Sequence, residues 1–111
     1  MTYRRCDIVA IDFPFVENTG SKRRPGLIVS SERLRTDYGV YWIAMITTAP
    51  SGPLPGDIAV TNPERAGLPR ACYIRLGRIA TVNDALIGRK LGELTPKDRV
   101  AATALLRRYL P

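Results

Sequence analysis

The chain contains no histidine, so any chemistry it performs has to come from Arg, Lys, Thr, Ser, Tyr, Asp or Glu. Ser–His–Asp triads, paired-histidine acid–base catalysis and His-ligated metal sites are excluded on that ground. Cys6 and Cys72 are far apart and lack metal-type spacing, and with no apolar stretch behind the N-terminal arginines to make a secretory signal they read as reduced structural thiols. What the chain has in excess is positive charge: 17 Lys and Arg against 10 Asp and Glu, a net charge of +7 and a pI near 10.0. That balance favours a polyanionic partner such as nucleic acid, an anionic membrane surface or an acidic protein. The basic residues fall into two blocks, residues 4–35 and 65–108, and residues 36–64 contain none. A fold that brings the blocks together makes a basic groove beside a neutral core.

The elements that must position these residues can be read from the pattern. A chain of 111 residues is about one domain, here residues 1–111, and buries roughly two-thirds of its unfolded surface. No apolar run approaches the roughly 20 residues of a membrane span, so a cytoplasmic protein without membrane contact is expected. Residues 7–15 read as a first strand stopped by Pro14, and residues 26–30 as a second, with a polar loop between them. Ser31 can cap a helical turn through Arg35. Val40–Thr48 is the strongest strand, β-branched and aromatic with both faces apolar, and belongs at the centre of a sheet. Trp42 within it reads as core. Residues 57–60 and 71–76 follow as strands, the latter placing Cys72, Ile74 and Leu76 on one face and Tyr73 and Arg75 on the other. Residues 78–82 suggest a further strand and 84–87 a helical turn. The last element is a helix with Thr95 as N-cap, Pro96 at its first position and Asp98 completing a capping box. Its apolar face is Ala101, Ala102, Leu105, Leu106 and Tyr109. Short strands, irregular loops and one terminal helix suggest a small, strongly bent antiparallel barrel.

The motifs in this framework resemble the MazF/PemK toxin family. Asp7-Ile8-Val9 and Ile11-Asp12-Phe13-Pro14-Phe15 are followed by Lys22-Arg23-Arg24-Pro25-Gly26-Leu27-Ile28-Val29-Ser30. Ala44-Met45-Ile46-Thr47, Ile79-Ala80-Thr81-Val82 and Arg89-Lys90-Leu91-Gly92-Glu93-Leu94-Thr95 then occur in the family's order and spacing. The resemblance implies an SH3-like barrel of the CcdB/PemK kind and a homodimer. It further implies a metal-independent, cofactor-free endoribonuclease that cuts single-stranded RNA at short sequences. An acidic antitoxin of the MazE/PemI kind would block the RNA groove, and through that complex the toxin would meet DNA. By the same resemblance Arg24 of the Arg-Pro pair, Thr47 at the end of the central strand, and Arg75 are the catalytic residues. Two positions depart from the pattern. Gly77 stands where the PemK-like branch carries an aspartate two residues after its arginine, so that base is missing. Cys6 replaces the usual glycine before Asp7.

Metal-free RNA cleavage needs the substrate's own 2′-hydroxyl as nucleophile and charge stabilisation on the phosphoryl oxygens. Arg24 and Arg75 meet a phosphate with forked, permanently charged donors, and Thr47 offers a hydroxyl. Arginine removes a proton poorly, so both arginines are assigned chiefly to charge stabilisation with acid or base roles open, and Glu17 in the loop is one candidate for a substitute base and for RNA contact. Ser21, Lys22, Arg23, Thr48 and Arg78 add to the RNA-binding surface, and Trp42 and Tyr73 are aromatic candidates for base stacking. A gyrase-directed toxin of the CcdB type and a catalytically inactive RNA-binding relative are the alternatives. The ending Tyr109-Leu110-Pro111 and the Arg24-Pro25 pair disfavour the former, whereas Gly77 is the best support for the latter.

Overall fold

The computed structural model describes residues 2–12, 23–48 and 52–110. β1 (Asp7–Ile11), β2 (Arg24–Ile28), β3 (Val40–Thr48), β4 (Asp57–Ala59), β5 (Cys72–Asn83) and β6 (Ile87–Glu93) form one sheet in the order β4-β5-β3-β2-β1-β6. Every pairing is antiparallel, and β3 lies inside as its composition demands. The sheet coils but stays open, with β4 and β6 as its edges.

Alternation along the strands sorts their side chains into two cores. Ile8, Leu27, Ala44, Ile46, Cys72, Ile74 and Leu76 pack on one face with Ala102, Leu105 and Leu106 of α2 (Pro96–Tyr109). Val9, Ile11, Ile28, Tyr41, Ile43, Ala80, Val82 and Ile87 form the second core on the other face, with Tyr3 edge-on to Tyr41 at 5.9 Å. Burying each such Ile, Leu or Val contributes about 1.5–3 kcal/mol. The alternation expected for residues 72–76 is present, although 71–76 and 78–82 belong to one long strand rather than two.

Several elements differ from the reading of the sequence. β2 starts at Arg24, so the Arg-Pro pair lies inside the strand. α1 (Glu32–Tyr38) runs three residues past Arg35, Ser31 at its N-cap makes no side-chain bond, and Gly39 closes it in the left-handed conformation. β6 was not expected from its composition, Ile-Gly-Arg-Lys-Leu-Gly-Glu. Thr95 caps α2 as expected, its Oγ1 accepting from Asp98 N at 3.2 Å. The Asp98 carboxylate does not close a capping box. It is buried and accepts from Thr61 N at 2.9 Å and Thr61 Oγ1 at 3.0 Å, which ties the helix start to the segment after β4. Trp42 is 41% exposed and not core: it shares the helix-side face with Ala44, beyond the part that α2 covers. Among the described residues no helix is long and apolar enough to cross a membrane.

Candidate active site

Two adjacent rows of cross-strand neighbours build the site. One row runs Val9, Gly26, Met45, Arg75 and Asp57 across β1, β2, β3, β5 and β4. In the next, Ile11 faces Arg24 on one side, while Thr47 faces Tyr73 and Tyr73 faces Ala59 on the other. The β2–β3 register sets Gly26 against Met45, the last pair of that ladder, and Arg24 lies two residues beyond it on β2 as Thr47 does on β3. Residues directly opposite one another share a face. Arg24, Thr47, Tyr73 and Arg75 therefore stand on one face of the sheet, the face away from α2.

Arg24 is exposed, and Arg23 beside it is exposed with its Nε 3.9 Å from Asp12 Oδ1. Thr47 is half-buried. Thr48 is exposed but pairs with Cys72, whose side chain lies in the helix-side core, so Thr48 occupies the opposite face from Thr47. Glu17, Ser21 and Lys22 lie outside the described residues. Of the two aromatic candidates, Tyr73 belongs to the arginine face and Trp42 to the other.

Arg75 is held by the carboxylate of Asp57, the first residue of β4. Its Nε donates to Asp57 Oδ1 at 3.0 Å and its Nη2 to Asp57 Oδ2 at 2.9 Å, the two-pronged geometry that arginine makes best. The Asp57 side chain is fully enclosed, whereas that of Arg75 keeps 17% exposure. The Arg75 fork, helped by Leu54 N–H at 2.7 Å, holds the Asp57 carboxyl below its ordinary range, and the same bond pushes Arg75 up. The turn that delivers Asp57 is legible in hindsight. In Leu54-Pro55-Gly56-Asp57, Pro suits the second position, Gly56 takes φ +88° at the third, and Asp57 N–H closes on Leu54 O at 2.9 Å.

Arg78 sits where the β3–β5 register slips. Met45 faces Arg75 but Ala44 faces Ile79, so Leu76, Gly77 and Arg78 form a bulge. Leu76 turns into the helix-side core, and Arg78 is exposed with Nη1 3.9 Å from Met45 Sδ. Met45 packs on the second core, which places the Arg78 head over the middle of the arginine face. At Gly77 a Cβ would meet nothing within 4 Å.

An open, coiled antiparallel sheet backed by a C-terminal helix, with its arginines gathered on one face, is a MazF-like architecture. The chain belongs to the PemK-like, MazF-like toxins of type II toxin–antitoxin systems, whose family model matches residues 4–110. Among solved structures it is similar to the Mycobacterium tuberculosis toxin MazF-mt6, with TM-score 0.72 and 20% identity over 92% of this chain and 93% of that one. It is also similar to a mycobacterial endoribonuclease in complex with its cognate antitoxin, with TM-score 0.70 and 20% identity over 99% and 98%. MazF of Deinococcus radiodurans gives TM-score 0.73 at 15% identity over 99% and 97%. No curated protein matches the chain.

Proposed function

We propose that this toxin is a metal-independent endoribonuclease that cuts single-stranded RNA at short sequences. The observation that supports the reading is that Arg24, Thr47, Arg75 and Arg78 share one face of the sheet. In the reaction the 2′-oxygen of one nucleotide bonds to the adjacent phosphorus and the bond to the 5′-oxygen breaks, leaving a cyclic phosphate and a 5′-hydroxyl. The 2′-hydroxyl gives up its proton, with Glu17 as the candidate acceptor, and the departing 5′-oxygen gains one. Arg24 neutralises the charge growing on the phosphoryl oxygens, Thr47 donates a hydrogen bond to one of them, and the remaining arginines supply the field. Tyr73 offers a stacking surface to a flanking base.

The same excess of positive charge suits an acidic, partly disordered antitoxin segment laid over this face. Exposed Trp42 and Ile79, diagonal neighbours on the opposite face, suit burial in a homodimer, which light scattering of the purified protein reads directly. The deciding experiment incubates the toxin with end-labelled single-stranded RNA in EDTA. Discrete fragments ending in cyclic phosphate are expected, and Arg24→Ala should slow their formation about 10²–10³-fold. Intact RNA at stoichiometric toxin overturns the reading.

A further inference from the structure

Four groups on the arginine face are candidates to touch the scissile phosphate, and the geometry divides their labour. We propose that Arg78 is the second substrate-contacting arginine, beside Arg24, and that Asp57 and Arg75 together form a strut that positions the bulge carrying it. The inference rests on the nuclease reading and assigns roles within its site.

The first ground is what Arg75 is already doing. One edge of its guanidinium, the Nε and Nη2 donors, is engaged by Asp57 at 3.0 and 2.9 Å, and Asp57 is enclosed with Leu54 N–H as a third donor. Gly52 backs the same carboxylate, since a Cβ there would come within 2.8 Å of Asp57 Oδ2. A phosphate approaching Arg75 therefore meets a pair whose charges cancel, with a carboxylate fixed behind the guanidinium. Repulsion from that carboxylate offsets much of what the arginine offers.

The second ground is what Arg78 has available. It is exposed, and among the described residues it makes no ion pair. Among the described residues its one polar side-chain contact is the Met45 thioether at 3.9 Å, a weak acceptor readily exchanged for a phosphoryl oxygen. Met45 and Thr47 are two residues apart on one strand, about 6.6 Å, and Gly26, two residues from Arg24 on β2, faces Met45. The Arg78 head thus lies over Met45, two residues along the strands from Thr47 and, across the Gly26 pair, from Arg24.

The third ground is the mechanical link. Arg75 is the last residue paired with β3 before the bulge, and Leu76 N–H, the first inside it, donates to Gly56 O at 3.1 Å. The ion pair and this bond tie the start of the bulge to the turn of residues 54–57. Three residues later Arg78 inherits its position from that anchor.

Single-turnover cleavage of labelled RNA, affinity for the same RNA with a 2′-deoxy scissile nucleotide, and thermal melting test the assignment. Arg78→Ala should lower the cleavage rate about 10²–10³-fold while leaving the melting temperature unchanged, and Arg78→Lys should restore part of the loss. Arg75→Ala and Asp57→Asn should each cost less, about tenfold. Their double variant should be no slower than either alone, because both remove one strut. Arg78→Ala at wild-type rate, or Arg75→Ala slower than Arg78→Ala, overturns the proposal. Should wild-type toxin leave RNA intact, the nuclease reading fails by itself and binding decides the assignment. Weaker 2′-deoxy RNA binding in Arg78→Ala than in Arg75→Ala then upholds the contact, and the reverse order refutes it.

Discussion

Cys6 holds the left-handed backbone conformation, φ +75°, at a position that carries a side chain. Its N–H donates to Ile28 O at 2.8 Å and its carbonyl accepts from Leu94 N at 3.4 Å, so this strained residue fixes how β1 enters the sheet between β2 and β6. The side chain is 4% exposed within the helix-side core. Two substitutions separate strain from packing. Cys6→Ala removes the sulfur, about 1 kcal/mol of burial, but keeps the left-handed penalty of about 1–2 kcal/mol. Cys6→Gly removes that penalty while adding the usual cost of glycine, about 0.5–1 kcal/mol. At an ordinary strand position alanine would win. Here glycine should be the more stable of the two by about 0.5–1 kcal/mol, or about 2–4 °C in melting temperature for a domain of this size. Urea unfolding at constant m-value measures it. If Cys6→Ala is as stable as Cys6→Gly, the backbone at this residue is not strained and the account of β1 fails.

Two glycines make an opposed pair. Gly77→Ala should be neutral or stabilising by up to about 1 kcal/mol, because its Cβ enters open space, whereas Gly67→Ala should be strongly destabilising, with φ +77° and a Cβ driven onto the Leu91 carbonyl; thermal melts read both. Asp57, held low by Arg75, contributes stability that is present above its ordinary value of 3.8 and lost as pH falls through its depressed folded value. The melting temperature of wild type should therefore drop more steeply below about pH 4 than that of Asp57→Asn. Thr47→Val keeps the β-branched shape but removes the hydroxyl. It should cut single-turnover cleavage about 10–100-fold, with Thr47→Ser close to wild type.

What could be read from the sequence was what local chemistry decides. The bounds of β3 follow from its β-branched run, the faces of residues 72–76 from alternation, and the start of α2 from Thr95 and Pro96. What escaped was decided by partners distant in sequence. β6, with two glycines and three charges in seven residues, has little strand propensity of its own and exists because β1 offers an edge to pair. Asp98 abandons the helix terminus because Thr61, 37 residues earlier, supplies two better donors. The site shows the same division. The family motifs marked Arg24, Thr47 and Arg75, and the register brings them to one face. The engagement of Arg75 with Asp57, 18 residues away, depends on β4 pairing with β5, for which three residues give little local signal.

The pairing of β1 has a kinetic consequence. Asp7 lies against Glu93 and Ile11 against Ile87, contacts between opposite ends of the chain, and Leu94 N–H closes on Cys6 O. Such distant closures are slow, because loop entropy must be overcome before the contact returns any stabilisation. Until they form, β1 has only β2 beside it, and Ile8, Val9 and Ile11, all fully buried in the finished fold, lack half their surroundings. β2, which begins with Arg24, takes its place between β1 and β3. A chain lacking its last two dozen residues loses β6 and α2, and should keep the motif residues without the closure that seats β1 on its outer side.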